Sequence, residues 1–380
     1  LMNDLIKKGI ADLMWDCNLV VCRCTTRCYV KILENQWFLK LSDTQWKKKV
    51  ISHVKKMKIY PDEARANFLA TIEWLRDKAC ARRTGLGTPI PWDNEWIVET
   101  LSDSTIYMAY YAIVRIINEK KIPSSILKDE VFDYIFLNKK MPRIDKKYRK
   151  PIREMKKEFQ YFYPVDMRNS GKDLIQNHLT FYLYHHTAIF PPKYWPKSIG
   201  VNGFVNIEGE KMSKSKGNFL PMSNLLDQFG ADLTRINIIS AAEGLEDADW
   251  RVENIRSYRS RLESLFELVE KLKKLKTKRR SKKKSTAKKN IDGWLLSIIN
   301  RNVESAIKNY ESLKFRGAVQ NALFDSLNAI RWYQRRGGNN NKILLGAVTD
   351  IVKILTPVTP HLSEELWDML GNTETFVCLE

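Results

Sequence analysis

Residues 161–190 read YFYPVDMRNSGKDLIQNHLTFYLYHHTAIF. PVDMRNS has the character of a strand. Ser170–Gly171 forms a turn, and from about Lys172 the spacing predicts a long helix, with Ser170 and Asp173 three residues apart in a capping-box pattern. A second strand-like stretch, SIGVNGFVNI at 198–207, follows, and directly after it comes GEKMSKSKGN at 209–218, with three lysines in ten residues. Strand, helix, strand, loop predicts part of an α/β parallel sheet. Ligands of such sheets sit at the carboxyl ends of the strands. Gly171 and Lys211 each follow a strand-like run, so both are expected on one rim.

Upstream, YVKILENQWFLKL (29–41) is strand-like. A helix is expected from Pro61, with Phe68, Ile72 and Leu75 on one face. TGLGTPIPWD (84–93) reads as a loop. Gly85 and Gly87 begin a dinucleotide-like pattern, but Ile90 stands at its sixth position, and no G-x4-G-K-[ST] occurs, so neither phosphate-binding fingerprint is present. A turn at Ser102–Asp103–Ser104 precedes an aromatic helix, and 127–160 reads as charged helices. Downstream of about residue 224 only helical periodicity remains. Leu344, Val348, Ile351 and Leu355 share a face, as do Leu295, Ile299, Val303, Ala306 and Tyr310. Thr359–Pro360 begins a last helix, which Gly371 ends.

The formal charge of the 380 residues is +20, and residues 271–289 (KLKKLKTKRRSKKKSTAKK) contain no acid. A polyanionic partner, nucleic acid before membrane, fits that balance, although such a run is also what a solvated linker looks like. No apolar run is long enough to span a bilayer, and the amino-terminal residues lack a signal-peptide pattern. Of six cysteines, Cys17, Cys22, Cys24 and Cys28 crowd together. The expectation is reduced thiols or a zinc knuckle rather than disulfides, with a tight turn holding small thiols as the plain alternative.

KMSKS at 211–215, together with DMRNSGKDLIQNHLTFYLYHHTAIFP, GVNGFVNIEGEKMSKSKGN, ETLSDSTIYMAYY, VVCRCTTRCYVKILENQWFL and KACARRTGLGTPIPWD, resembles the leucyl-tRNA synthetases of archaeal and eukaryotic type, within the class I aminoacyl-tRNA synthetases. The resemblance runs from about residue 5 to 378. It implies an α/β fold, part of a Rossmann-like parallel-sheet catalytic domain followed by an all-α helical bundle. Its segments would be 1–60, with the cysteine knuckle; 61–223, with the lysine loop; and 224–380, a bundle against the anticodon stem, interrupted by the basic run.

The same resemblance implies ATP-dependent activation of leucine, assisted by Mg²⁺, and transfer to tRNA(Leu) in the cytoplasm. Lys211 and Lys214, on a Gly-flanked loop, would stabilise charge building on the phosphates, with Lys214 the main contact. Gly171, Asp173, Asn177, Met212, Ser213 and Ser215 would approach ATP or the adenylate; His178, Tyr107 and Asp103 would line the leucine pocket. His185 and His186 are read as structural. RWYQRR (331–336) offers a basic, aromatic surface in which Trp332 is either exposed or core. The family's His-x-Gly-His signature is absent: the histidines are His53, His178, His185, His186 and His361. The chain also opens on Leu1 and ends where relatives continue. The expectation is therefore the second half of a split enzyme, a truncated gene or an excerpt, active only with an amino-terminal partner. A non-catalytic RNA-binding fragment and a valine- or isoleucine-specific relative are the alternatives.

Overall fold

The computed structural model describes residues 2–11, 18–22, 24–30, 32–212, 219–277 and 289–379. Lys214, Ser213, Ser215, Cys17 and most of the basic run lie outside the described residues. The chain divides into two compact units: residues 1–42 with 76–103, and residues 43–75 with 104–380.

The second unit carries the parallel sheet. Helix α1 (Thr44–Lys56) is capped by Asp43, whose carboxylate accepts from Trp46 N–H at 2.8 Å. It leads into strand β1 (Lys58–Tyr60). Helix α2 spans Ala64–Trp74. It begins three residues later than Pro61 suggests, because Pro61 sits in the turn whose carbonyl accepts from Ala64 N–H at 3.1 Å. Then come α3 (Met108–Glu119), α4 (Asp129–Phe136) and α5 (Lys146–Phe162), which bury Ile113, Ile116, Ile135, Ile152, Met155 and Phe159 in one cluster. Strand β2 is Arg168–Gly171 and β3 is Ser198–Asn202. The sheet order is β1–β3–β2, parallel throughout, with Ile59 opposite Ile199 and Asn169 opposite Gly200. Ser198 to Val201 are buried without alternation, as a central parallel strand covered on both faces requires.

Between β2 and β3 the expected long helix exists but is composite. Lys172–Leu174 is a 3₁₀ turn, Ile175–Leu179 a π-helical turn, and only then does α6 (Thr180–Ile189) become α-helical. The Ser170 capping box is not made. Gly171 occupies the cap position without a side-chain cap, and Asp173 leans over it instead; a Cβ on Gly171 would lie 2.6 Å from Asp173 Oδ1.

A second small sheet joins β4 (Val205–Ile207), β5 (Glu210–Lys211) and β6 (Ala248–Trp250) in the order β5–β4–β6. Between its last two strands run α7 (Met222–Phe229) and α8 (Ala231–Ala241). The rest is helical: α9 (Val252–Thr277), α10 (Lys289–Glu311), α11 (Phe315–Val319), α12 (Ser326–Arg335), α13 (Asn341–Leu355) and α14 (Pro360–Met369). Leu344, Val348, Ile351 and Leu355 are all buried in its core, as their spacing predicts. The turn after α12 is pinned by Tyr333. Its hydroxyl donates to Asp292 at 2.5 Å and accepts Asn340 N–H at 3.0 Å.

The first unit holds short strands and, among its described residues, the short helices Met2–Lys7 and Thr100–Asp103. Phe38–Leu39 pairs with Lys78–Ala79, so the 29–41 stretch yields two residues of strand. Asp93–Val98 pairs with Ala81–Arg82 and Pro89–Ile90 around Trp96, Ile90 and Ala81. No helix among the described residues is long and apolar enough to cross a membrane.

Candidate active site

Three parallel strands deliver their carboxyl ends to one rim. Gly171, the last residue of β2, lies opposite Asn202, the last of β3. From Asn202 the chain turns through Gly203 into β4, and β5 folds back antiparallel so that Lys211 pairs with Asn206. The turn at Gly171 and the start of the lysine loop therefore meet on the same side of the sheet.

Phe204 joins them. Lys211 Nζ lies 3.8 Å from the centroid of the Phe204 ring, and Lys172 Nζ 5.3 Å from it. Lys172 also pairs with Asp247 at 2.6 Å and donates to Leu245 O at 3.1 Å. Asp247 accepts Phe204 N–H at 2.8 Å. The Lys172 ammonium, the Phe204 amide and the nearby charge of Lys211 hold the Asp247 carboxyl below its ordinary range. Two residues on, Asp249 accepts Gly209 N–H at 2.9 Å and Arg251 at 2.6 Å, and its pKa is lowered for those reasons. Gly209 has φ +85°, which a residue without Cβ adopts freely. So DADW, 247–250, is the scaffold on which the base of the lysine loop is built. Sequence reading missed Phe204, Lys172 and Asp247. Phe204 stood inside a strand-like stretch, and its partner lies 43 residues away.

His178 occupies the π-helical turn and is 8% exposed. Arg168 Nη2 approaches its Nε2 at 2.9 Å, and Ser104 Oγ lies 3.4 Å from Nδ1. Arginine can only donate, so Nε2 must accept, and the ring is the neutral Nδ1–H tautomer. Burial, then the Arg168 charge, lowers its pKa. Asn177 is committed to the backbone: Nδ2 donates to Asp173 O at 3.2 Å, and Oδ1 accepts His178 N–H. Asp173 is exposed, and Met212 is half-buried. Tyr107 packs on Tyr111, rings 4.7 Å apart, and is 38% exposed. Asp103 ends a short helix, Thr100–Asp103, of the first unit. A cleft of about 240 Å³ opens beside Lys172, lined also by Asn67, Thr71, Trp74 and Gln176.

His185 and His186 are buried and hydrogen-bonded. His185 shares a 2.5 Å hydrogen bond with Thr105. His186 Nδ1 donates to Tyr182 O at 2.8 Å, and its Nε2 accepts from the Tyr163 hydroxyl at 3.2 Å. Burial pushes both pKa values down to about 4.

The cysteine cluster departs from expectation. Cys22 and Cys24 are joined as a disulfide across a tight hairpin closed by Val21 and Arg27. Sulfurs consumed in a disulfide are not thiolate ligands, so Cys22 and Cys24 as paired here do not serve a zinc ion; Cys17 lies outside the described residues. Among the described residues no group of three or more His, Cys, Asp or Glu is disposed to hold a metal.

Residues 26–251 match the family model of tRNA synthetases class I (I, L, M and V), and residues 292–380 match the anticodon-binding domain of tRNA ligase. The chain is 44% identical to a leucine–tRNA ligase of Archaeoglobus fulgidus over 99% of its own length, which is 40% of that protein. Identity to the leucine–tRNA ligase of Pyrococcus abyssi is also 44%, with the same coverage. The chain thus spans about 40% of the length of the curated relatives it matches. Among solved structures, the Mycobacterium tuberculosis methionyl-tRNA synthetase in complex with methionyl-adenylate superposes with a TM-score of 0.67, at 17% identity, over 91% of this chain and 64% of that one. The ternary complex of Agrobacterium radiobacter K84 LeuRS with tRNA and LeuAMS gives 0.54 at 20% identity, over 77% and 34%.

Proposed function

This chain belongs to the class I tRNA synthetases of the I, L, M and V group, and on that premise we propose that it is the lysine-loop side and helical bundle of a leucine–tRNA ligase. The leucine carboxylate attacks the α-phosphate of ATP and pyrophosphate leaves. The terminal ribose hydroxyl of tRNA(Leu) then attacks the acyl carbonyl of the adenylate and AMP leaves. One observation carries the reading. In a chain so close to leucine–tRNA ligases, the Gly171 turn and the base of the lysine loop share one rim, linked through Lys172, Phe204 and Asp247.

Lys211 and Lys214 stabilise the charge that gathers on the departing pyrophosphate. Mg²⁺ enters as part of the substrate, on the triphosphate. Gly171 leaves room for the nucleotide to approach the backbone, with Asp173 and Asn177 beside it, and Met212, Ser213 and Ser215 complete the loop. Neutral His178 and Tyr107 face the leucine side chain, where a buried cation would be costly. The bundle grips tRNA by phosphate and shape, and the work is cytoplasmic. These 380 residues contain no His-x-Gly-His, so activation requires that element from further chain or from a partner.

The test is ATP–pyrophosphate exchange by an enzyme that combines this chain with that element. Leucine should drive exchange at least a hundredfold better than valine or isoleucine. Exchange driven equally by valine or isoleucine overturns the leucine assignment. Tight tRNA binding without exchange for any of the three leaves an RNA-binding role instead.

A further inference from the structure

The backbone at Phe204 is fixed from both sides. Its N–H donates to Asp247 and its carbonyl accepts Ala248 N–H, each at 2.8 Å. This is sterically feasible because residue 203 is glycine: a Cβ there would collide with the carbonyl oxygen of Glu246. The half-buried ring is therefore held in place beside the rim. One cation on it, Lys172, is fixed independently by Asp247 and Leu245. The other, Lys211, is exposed, and its ammonium sits at 3.8 Å over the ring with the Asp247 carboxylate close enough to feel its charge.

A lysine side chain in water samples many rotamers, and ordering it costs free energy. An aromatic face attracts an ammonium weakly, by an amount a triphosphate easily exceeds with charge-assisted bonds. We propose that Phe204 is a positioning residue: its ring, backed by Asp247, holds the Lys211 ammonium at the rim until a polyphosphate takes it over. Lys172 lies against the same ring and adjoins Gly171, so the ring keeps Lys211 beside the nucleotide turn. The holding is a property of the chain itself. The takeover rests on the reading of Lys211 as a phosphate contact.

The two parts are tested separately. In the 380-residue chain with lysines reductively methylated by ¹³C-formaldehyde, the Lys211 methyl resonance, identified by its loss in Lys211→Arg, should be shifted upfield by the ring. Phe204→Leu, which keeps apolar bulk but no aromatic face, should abolish that shift, and Phe204→Tyr should retain it. An unshifted Lys211 resonance, or one unchanged in Phe204→Leu, overturns the platform. Adding MgATP or inorganic tripolyphosphate should move the resonance away from its upfield position; no movement at saturation overturns the takeover. In an enzyme that performs leucine-dependent exchange, Phe204→Leu should lower the rate roughly 3- to 30-fold, Phe204→Tyr should restore it, and the loss should vanish on a Lys211→Ala background. A wild-type enzyme without leucine-dependent exchange would refute the leucine reading while leaving the resonance result standing. Equal rates for wild type and Phe204→Leu would refute the positioning role alone.

Discussion

At the scale of the residue, His185 and His186 make the sharpest prediction. Both are held neutral by burial, with pKa values near 4 against 6.5 in an unfolded chain. The unfolded state binds protons first as pH falls, so their contribution is complete above about 6.5 and is lost as pH drops towards 4. Each is worth about 3 kcal/mol at full extent. Urea denaturation of the chain from pH 7 to 4.5 should show a steep fall in midpoint, and His186→Gln should flatten it. Replacing Lys214 by Ala in a complete enzyme should slow adenylate formation by roughly a hundredfold, as removing one preorganised donor typically does; pre-steady-state formation of labelled adenylate measures it. Much at this scale was legible. The reading of Lys211 and Lys214 came from the resemblance and not from their spacing, whereas the two structural histidines were recognisable in an apolar helix. Spacing could not reveal that the Asn177 amide is spent on its own helix, or that Cys22 and Cys24 pair with each other. Both depend on local backbone geometry rather than residue type.

At the scale of the element, the long bundle helices were readable because one-sided burial leaves a periodic trace. Leu295 and Ile299 are buried with Leu344 and Val348 for that reason. By contrast β3, buried without alternation, was readable only as a strand-like run, and β1 was not read. The composite helix after Gly171 was not readable, since 3₁₀, π and α turns carry the same helical residues. A π turn takes in an extra residue, so it rotates everything after it relative to what precedes. The rim-facing residues up to His178 and the core residues Tyr182 and His186 are thereby phased independently. Phe204 and Asp247 escaped because their meeting is long-range. Gly203→Ala should test that meeting: with Glu246 O in the way, the 203–204 and 246–248 backbones must part, at a cost of roughly 2–4 kcal/mol, read by thermal or urea unfolding. In α12, Trp332 resolves as exposed, at 52%, with Arg336 stacked 5.1 Å from its ring. Trp332→Ala should weaken RNA binding by roughly 5- to 50-fold if a base stacks there, with stability unchanged; a filter-binding titration decides it.

At the scale of the whole molecule, the charge of +20 remains the strongest indication of a polyanionic partner. Deleting residues 271–289 should reduce the log–log salt slope of RNA binding by roughly two to three units if three of its charges meet phosphates. An unchanged slope in a salt titration would make the run a solvated insertion. The chain by itself should give no leucine-dependent pyrophosphate exchange if the proposed reading holds, since no His-x-Gly-His occurs among its residues. The parallel sheet has one more consequence, which concerns time. Ile59 faces Ile199, so β1 finds its neighbour only after about 140 further residues. At ribosomal speeds of 5–20 residues per second, that is a delay on the order of 10–30 s. Throughout it, β1 waits for the β3 strand that pairs with it. For this chain, the interval before residue 200 clears the exit tunnel is the one in which the β1 edge that β3 will cover stays open.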